Sequence, residues 1–412
     1  MTKFIIYVNS IILMIATFFG SSFVPRGLQL DADKLEKTVT ASNEARIEAG
    51  TITGAHVFIK QSGKTVLDKT YGLDGVGGTA LKNNAVYRIA SMTKPITALA
   101  LLIEHDRGHL SIYDDVSKYI PEFAEMYVAK KDKDGNNIIG ADGLKVAGKK
   151  ATKSLKLYQL VSHTSGVGEV TPSAVGNPCT TRTAAMWLAT QPLDFNPGTA
   201  QQYSTGAFDV AAAVVEITSG MEFSEYIKVN IFDKLGMTDT TFEPTQEQWS
   251  RFVQMHNFAD GKVFNVPMNE NCVFGDFNVS YHVAGGGLAS TTYDYMKFAE
   301  MFLNEGKAAD GTEVISAKSL KLFSTPVKDG KRNGDERWGL GVRVVTKTGN
   351  VLPVGSFGWS GAYGSHFWID PTNKICTVYM KNTVYDGGAG SKSARELKED
   401  VMNSFKLLLV EK

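Results

Sequence analysis

Cysteine is scarce in this 412-residue chain, with three residues, Cys179, Cys272 and Cys376, far apart and without a Cys-x-x-Cys pair. Such an odd, scattered set builds neither a disulfide framework nor a zinc site, and these thiols read as small buried apolar residues. Excess charge is missing too, since 43 Lys and Arg face 43 Asp and Glu. Without a basic surplus there is no electrostatic footprint for nucleic acid or for an anionic membrane. No apolar run reaches the roughly 20 residues of a membrane span. A His-Glu-x-x-His zinc helix is absent, and so is a nucleophile elbow of the form Gly-x-Ser-x-Gly, because Gly358-Trp359-Ser360-Gly361 is followed by Ala362. Nothing in the chain calls for a metal or a cofactor.

What is present is a globular composition, 43% apolar, in a chain long enough for one large core or two packed lobes. The first 22 residues have a signal-peptide layout: Lys3, an apolar stretch from Phe4 to Phe19 broken by Asn9, Ser10 and Thr17, then Gly20, Ser21 and Ser22. The alternative is an N-terminal helix packed on the fold. No lipid-attachment cysteine follows, so the expectation is an exported protein with no stable membrane anchor after removal of the leader. Leu28, Ala32, Leu35 and Val39 mark an amphipathic helix between Leu28 and Ala49. His56 to Ile59 and Thr65 to Leu67, joined at Gln61-Ser62-Gly63-Lys64, predict a hairpin.

Helices and loops dominate from Pro95 to Asn271, and glycine-punctuated strands return after Gly339. The two ends of the chain are therefore expected to share one sheet, with the middle forming a helical lobe. This gives an α+β fold, an α/β domain from residues 28–95 and 272–412 and a mostly helical second domain from 96–271. Within the middle, Asp132-Lys133-Asp134-Gly135-Asn136 resembles the start of a calcium loop. The sixth position, however, is Asn137 and the twelfth Gly143, where glycine and glutamate are required, so Lys130 to Lys153 reads as a solvated hairpin insertion. His163, in His163-Thr164-Ser165-Gly166, reads as a turn histidine bonding nearby backbone, since no acid–serine arrangement surrounds it.

The chemistry centres on Ser91-Met92-Thr93-Lys94-Pro95, between the β-like Val86-Tyr87 and the apolar-periodic Ile96, Leu99, Ala100, Leu102 and Ile103. Helical side chains three apart share a face, so a helix starting near Ser91 sets the Lys94 ammonium beside the serine hydroxyl. Proline is tolerated in the first helical turn, which fixes the helix start here and the serine oxygen at the positive end of the dipole; Gly108 is placed to end the helix. A residue before proline avoids the α region, so Lys94 is expected to be strained. Downstream, Tyr203-Ser204-Thr205 enters a helix running through Phe208, Val210, Ala211 and Val214 and stopping at Gly220. A phenol ionises too high for a neutral-pH base, and a neighbouring ammonium favours its phenolate, a part open to Lys94. The glycine-rich Gly355 to Gly364 precedes two strands, His366 to Ile369 and Ile375 to Met380, and glycine in a strand lets another backbone or a ligand approach.

The order Ser91-x-x-Lys94, Tyr203-Ser204-Thr205 and Trp359-Ser360-Gly361 resembles the serine β-lactamase-related superfamily, which comprises class C β-lactamases, penicillin-binding proteins, D-aminopeptidases and family VIII esterases. The stretches Arg88 to Thr97, Leu160 to Gly166, Ile231 to Thr240 and Ala284 to Asp294 are similar to its signatures. The resemblance implies an antiparallel β-sheet flanked by helices, with the site between sheet and helical domain. It implies Ser91 as acylated nucleophile, Lys94 and Tyr203 sharing acid–base work, and the N–H groups of Ser91 and Ala362 as the oxyanion hole, with Thr205, Trp359, Ser360 and Gly361 binding substrate. Two positions depart from lactam-processing relatives. Thr205 stands where many have asparagine, and Trp359 where they have the lysine or histidine that meets a lactam carboxylate. Lys347-Thr348-Gly349 upstream matches that motif literally, yet lies between two β-like runs and reads as a hairpin turn. The expected partner is therefore a small-molecule ester or amide, first a neutral carboxylic ester, with Trp359 offering an apolar face to its acyl or alcohol group. A β-lactamase, a D-aminopeptidase or transesterase, or a catalytically inactive binding protein are the alternatives.

Overall fold

The computed structural model of the chain describes residues 23–176, 179–266, 281–329 and 334–411. The expected leader and Cys272 lie outside them. In chain order, β1 (Phe23–Leu30) leads into α1 (Ala32–Glu48), and β2 (Gly54–Gln61), β3 (Lys64–Gly72) and β4 (Val86–Arg88) precede α2 (Thr93–Asp106). The helical middle contributes α3 (Gly206–Ser219). After it come β5 (Ala289–Thr291), α4 (Thr292–Leu303), β6 (Glu336–Trp338), β7 (Arg343–Val345), β8 (Phe357–Ser360), β9 (His366–Asp370), β10 (Ile375–Met380), α5 (Lys392–Asn403) and β11 (Phe405–Glu411).

The seven-stranded sheet has the order β6-β7-β8-β9-β10-β2-β3, and every neighbouring pair is antiparallel. Val57 lies opposite Tyr379 across β2 and β10, so the two ends of the chain meet in one sheet as expected. Ser62 and Gly63, at φ +50° and +76°, supply the left-handed pair that a two-residue hairpin needs between β2 and β3. Leu28 is not helical: it belongs to β1 and pairs with Leu407, and α1 starts only after Asp31, whose side chain accepts the Lys34 N–H at 3.2 Å.

Helices cover both faces of the sheet. Leu35 and Val39 of α1 and Leu397 of α5 pack on Val57, Ile59 and Trp368. On the other face Phe58, Phe367 and Val378 meet α2 and α4, and the same apolar cluster continues unbroken through α3 into the helical middle. Every residue of α2 from Thr93 to Glu104 is buried, as befits a helix enclosed on all sides. A domain boundary between residues 95 and 96 would cut through this helix, and its counterpart at 271/272 lies outside the described residues. The Lys130–Lys153 insertion is a largely exposed set of hairpins, with Tyr127–Ala129 paired to Ala147–Lys150. It is also tied to the core, because Lys145 and Asn137 reach the buried Asp194 carboxylate at 2.5 and 2.7 Å. Lys347, Thr348 and Gly349 are exposed between β7 and β8, away from the site described below, and Val351-Leu352 forms no strand.

Candidate active site

Beyond β4 the chain turns through a short 3-10 segment, Ala90–Met92, into α2, so Ser91 stands just ahead of the helix and not within it. Pro95 is the third helical residue, where an N–H has no intrahelical acceptor to lose. Lys94 is helical although it precedes proline. The backbone outlier of this turn is Ala90, at φ +44°, a conformation costing on the order of 1–3 kcal/mol outside glycine. Thr93 Oγ1 donates to the Ala90 carbonyl at 2.7 Å and accepts the Leu288 N–H at 3.1 Å, which fixes this turn against the segment leading into β5.

Lys94 is wholly buried, and its Nζ donates to Gly285 O at 2.6 Å, Ser91 Oγ at 3.3 Å and Thr205 Oγ1 at 3.3 Å. Three donors thus meet three acceptors, which a buried ammonium requires. The Tyr203 ring centroid lies 4.6 Å from the same nitrogen. Gly285 is glycine because a Cβ there would fall 2.5 Å from Thr205 Cγ2, forcing the two backbones apart. Tyr203 completes the group, its hydroxyl donating to Ser91 Oγ at 2.7 Å. It sits at the entrance of α3, whose leading N–H groups, those of Thr205 and Gly206, donate to the Glu169 carboxylate at 2.8–3.1 Å.

The third motif closes the site from the sheet. A Cβ on Gly361 would stand 2.3 Å from the Ile89 carbonyl, so only glycine lets the end of β8 approach the nucleophile turn this closely. Ser365 Oγ donates to that carbonyl at 2.9 Å. Ala362 is exposed beyond Gly361, and among the described residues its N–H has no acceptor, as an oxyanion donor requires. Ser360 Oγ is engaged by His366 Nδ1 at 2.7 Å. Trp359 departs from expectation, since only 8% of it is exposed and it offers no broad apolar face. Strands β6 and β7 fold over it, setting the Trp338 ring 4.6 Å and the Arg343 guanidinium 5.5 Å from its own ring. Arg343 is part-exposed, and among the described residues its Nε and Nη1 have no acceptor.

His163 is fully buried, its Nδ1 accepts the Ser204 N–H at 3.1 Å, and burial, then Lys94, hold it well below the usual imidazole range. It does bond backbone, but at Ser204, remote in sequence, and not the nearby backbone expected of a turn histidine. The Gly285 carbonyl, Glu169 and Asp209 escaped the sequence reading. Asp209 is buried in α3, accepts the Ala284 N–H at 2.8 Å, and burial pushes its carboxyl up to about 7. Its signal was a lone acid inside the apolar run Ala207 to Val215. Among the described residues no three His, Cys, Asp or Glu side chains are grouped to hold a metal ion, and no helix is long and apolar enough to cross a membrane.

A family model described as Beta-lactamase matches residues 35–400. Protein Rv1367c of Mycobacterium tuberculosis is 28% identical over 81% of this chain and 86% of its own length. Esterase EstB of Burkholderia gladioli is 24% identical over 90% of this chain and 96% of its own. Among solved structures, EstCE1, described as a hydrolase with promiscuous acyltransferase activity, superposes with a TM-score of 0.74 at 19% identity, covering 90% of this chain and 99% of its own.

Proposed function

We propose that this chain, which belongs to the Beta-lactamase family, is a serine hydrolase that cleaves neutral carboxylic esters through a covalent acyl-enzyme. The observation that carries this reading is the Ser91 hydroxyl, 2.7 Å from the Tyr203 hydroxyl and 3.3 Å from the buried Lys94 ammonium. In the form of the Tyr203–Lys94 pair that has released one proton to solvent, Ser91 Oγ attacks the ester carbonyl while the pair takes the serine proton. The N–H groups of Ser91 and Ala362 receive the oxyanion, and the C–O bond to the alcohol breaks as the pair returns the proton to the leaving oxygen. Water, activated by the same pair, then attacks the acyl carbon and releases the acid. The neutral-ester preference rests on Trp359 standing where lactam-processing relatives carry a cation, and the relatives named as esterase and hydrolase support acyl transfer. The signal-peptide layout of residues 1–22 supports an exported enzyme.

Arg343 favours a second reading, an enzyme for carboxylate-bearing esters or amides such as penicillins, because among the described residues its guanidinium has unpaired N–H groups beside Trp359. One experiment tests both. Native protein and Ser91→Ala are exposed briefly to a neutral p-nitrophenyl ester and to a penicillin, and their intact masses are measured. An acyl adduct from the ester, mapped to Ser91 and missing from Ser91→Ala, is the expected result. An adduct on any other serine overturns the assignment. A penicillin adduct that forms faster than the ester adduct, and slows in Arg343→Gln, makes the second reading the correct one.

A further inference from the structure

Tyr203 is the most exposed member of the catalytic group, 42% accessible, and among the described residues its hydroxyl makes a single hydrogen bond, to Ser91. A proton-transfer group in that situation needs something else to hold its ring. The backbone carbonyl of His163 accepts the Gln202 N–H at 3.0 Å, and the His163 Nδ1 accepts the Ser204 N–H at 3.1 Å. Between those two bonds the imidazole lies against the Tyr203 ring, centroids 4.4 Å apart and planes 30° from parallel. One residue thus fixes the residue before the tyrosine, the residue after it, and the face of its ring.

We propose that His163 is a positioning residue for Tyr203, acting as a three-point clamp in its neutral form and taking no part in proton transfer. The proposal rests on reading Tyr203 as the proton-transfer group. His163 is itself immobilised, with the Trp338 ring at 4.2 Å and the Phe208 ring at 5.3 Å. Its backbone is left-handed, φ +58°, a conformation uncommon outside glycine. Such strain persists where the surroundings over-determine it, typically at functional sites. The turn aims the carbonyl at Gln202 and the ring at Ser204 together. Because Nδ1 is an acceptor, the neutral ring carries its proton on Nε2. A protonated ring would point an N–H at the Ser204 N–H and break the clamp.

Three variants separate the contacts. His163→Asn tolerates the left-handed backbone and sets an amide oxygen where Nδ1 stands, so it keeps the bond to Ser204 and loses the ring contact. His163→Phe keeps the ring contact and loses the bond, and His163→Ala loses both. With a p-nitrophenyl ester, kcat for His163→Ala is expected to fall about 10- to 100-fold while KM stays within about 3-fold, the signature of a misplaced catalytic group. His163→Asn should recover about a tenth or more of native kcat. Thermal unfolding is followed in each case, and if His163→Ala does not fold, the Asn and Phe variants decide. A folded variant lacking the Ser204 bond with kcat within about 2-fold of native overturns the clamp, as does a change confined to KM. A native enzyme that turns over no ester and forms no adduct at Ser91 overturns the reading of the site and the clamp with it, whereas an active enzyme indifferent to His163 overturns the clamp alone.

Discussion

Ser91, Lys94 and Tyr203 lie within hydrogen-bonding reach of one oxygen, so a proton leaving the serine has two neighbours and belongs to the pair. Removing either should disable the same step. Acylation should slow by several powers of ten in Tyr203→Phe and in Lys94→Met, and the double variant should be little slower than the worse single one. Rates that multiply in the double variant, measured by single-turnover ester cleavage, would show two independent groups. Asp209 sets a different test. Burial holds its folded-state pKa at about 7, above the unfolded value near 3.9, so between those pH values the folded chain keeps a proton that the unfolded chain has released. That contribution is complete below about pH 4 and is lost as pH rises through about 7. Asp209→Asn carries no such titration, and its unfolding free energy should gain on the native protein by on the order of 4 kcal/mol between about pH 4 and pH 8. A pH-independent difference between the two denaturant curves would contradict the buried acid.

Secondary-structure elements meet at the site through two glycines. Gly285 brings the segment before β5 onto Thr205, and Gly361 brings the end of β8 onto Ile89. Gly361→Ala must push the oxyanion strand away from the nucleophile turn, because its Cβ would lie 2.2 Å from Ser365 Oγ as well as 2.3 Å from the Ile89 carbonyl. Losing one oxyanion donor typically costs about 100- to 1,000-fold in kcat, and that loss is expected here with the far-ultraviolet circular dichroism preserved. Gly390→Ala, whose Cβ would meet nothing within 4 Å, is the matching control and should remain active. Equal activity in the two variants would sever the link between close approach and catalysis. The elements are themselves locally encoded: Gly108 and Gly220, at φ +78° and +72°, follow α2 and α3 where the sequence marks their ends.

Across the whole molecule, the site depends on strands from both ends of the chain. Beyond β10, Lys381 is buried against Asp386 at 2.7 Å, and burial lowers its ammonium to about 8. The segment that this pair anchors backs the oxyanion turn, with Gly388 N donating to Gly361 O and Thr383 N to Tyr363 O, both at 2.8 Å. Removing one partner leaves a buried charge uncompensated, so Asp386→Ala should lower the unfolding free energy by about 3–5 kcal/mol. A loss under about 1 kcal/mol in urea unfolding would mean that the pair is not desolvated as described. Joining β2 to β10 also closes a loop of most of the chain, a non-local pairing that slows folding relative to the local hairpin of β2 and β3.

The sequence by itself determined what lies within a few residues: the Ser91–Lys94 spacing, the Ser62-Gly63 turn and the helix ends at Gly108 and Gly220; and its segregation of strands to the two ends and helices to the middle indicated the α+β class. The resemblance of its three motifs, taken in order, to a known family is what grouped Ser91, Lys94, Tyr203 and Gly361 before the structure placed them together. Contacts between elements distant in the chain were beyond it. Periodicity could not tell that Leu28 pairs with Leu407 and does not join α1, that Trp338 and Arg343 would cover Trp359, or that His163 would grip both flanks of Tyr203. Those facts follow from which faces bury against which. Hydrophobic patterning specifies that a face is buried and leaves its partner to the three-dimensional packing.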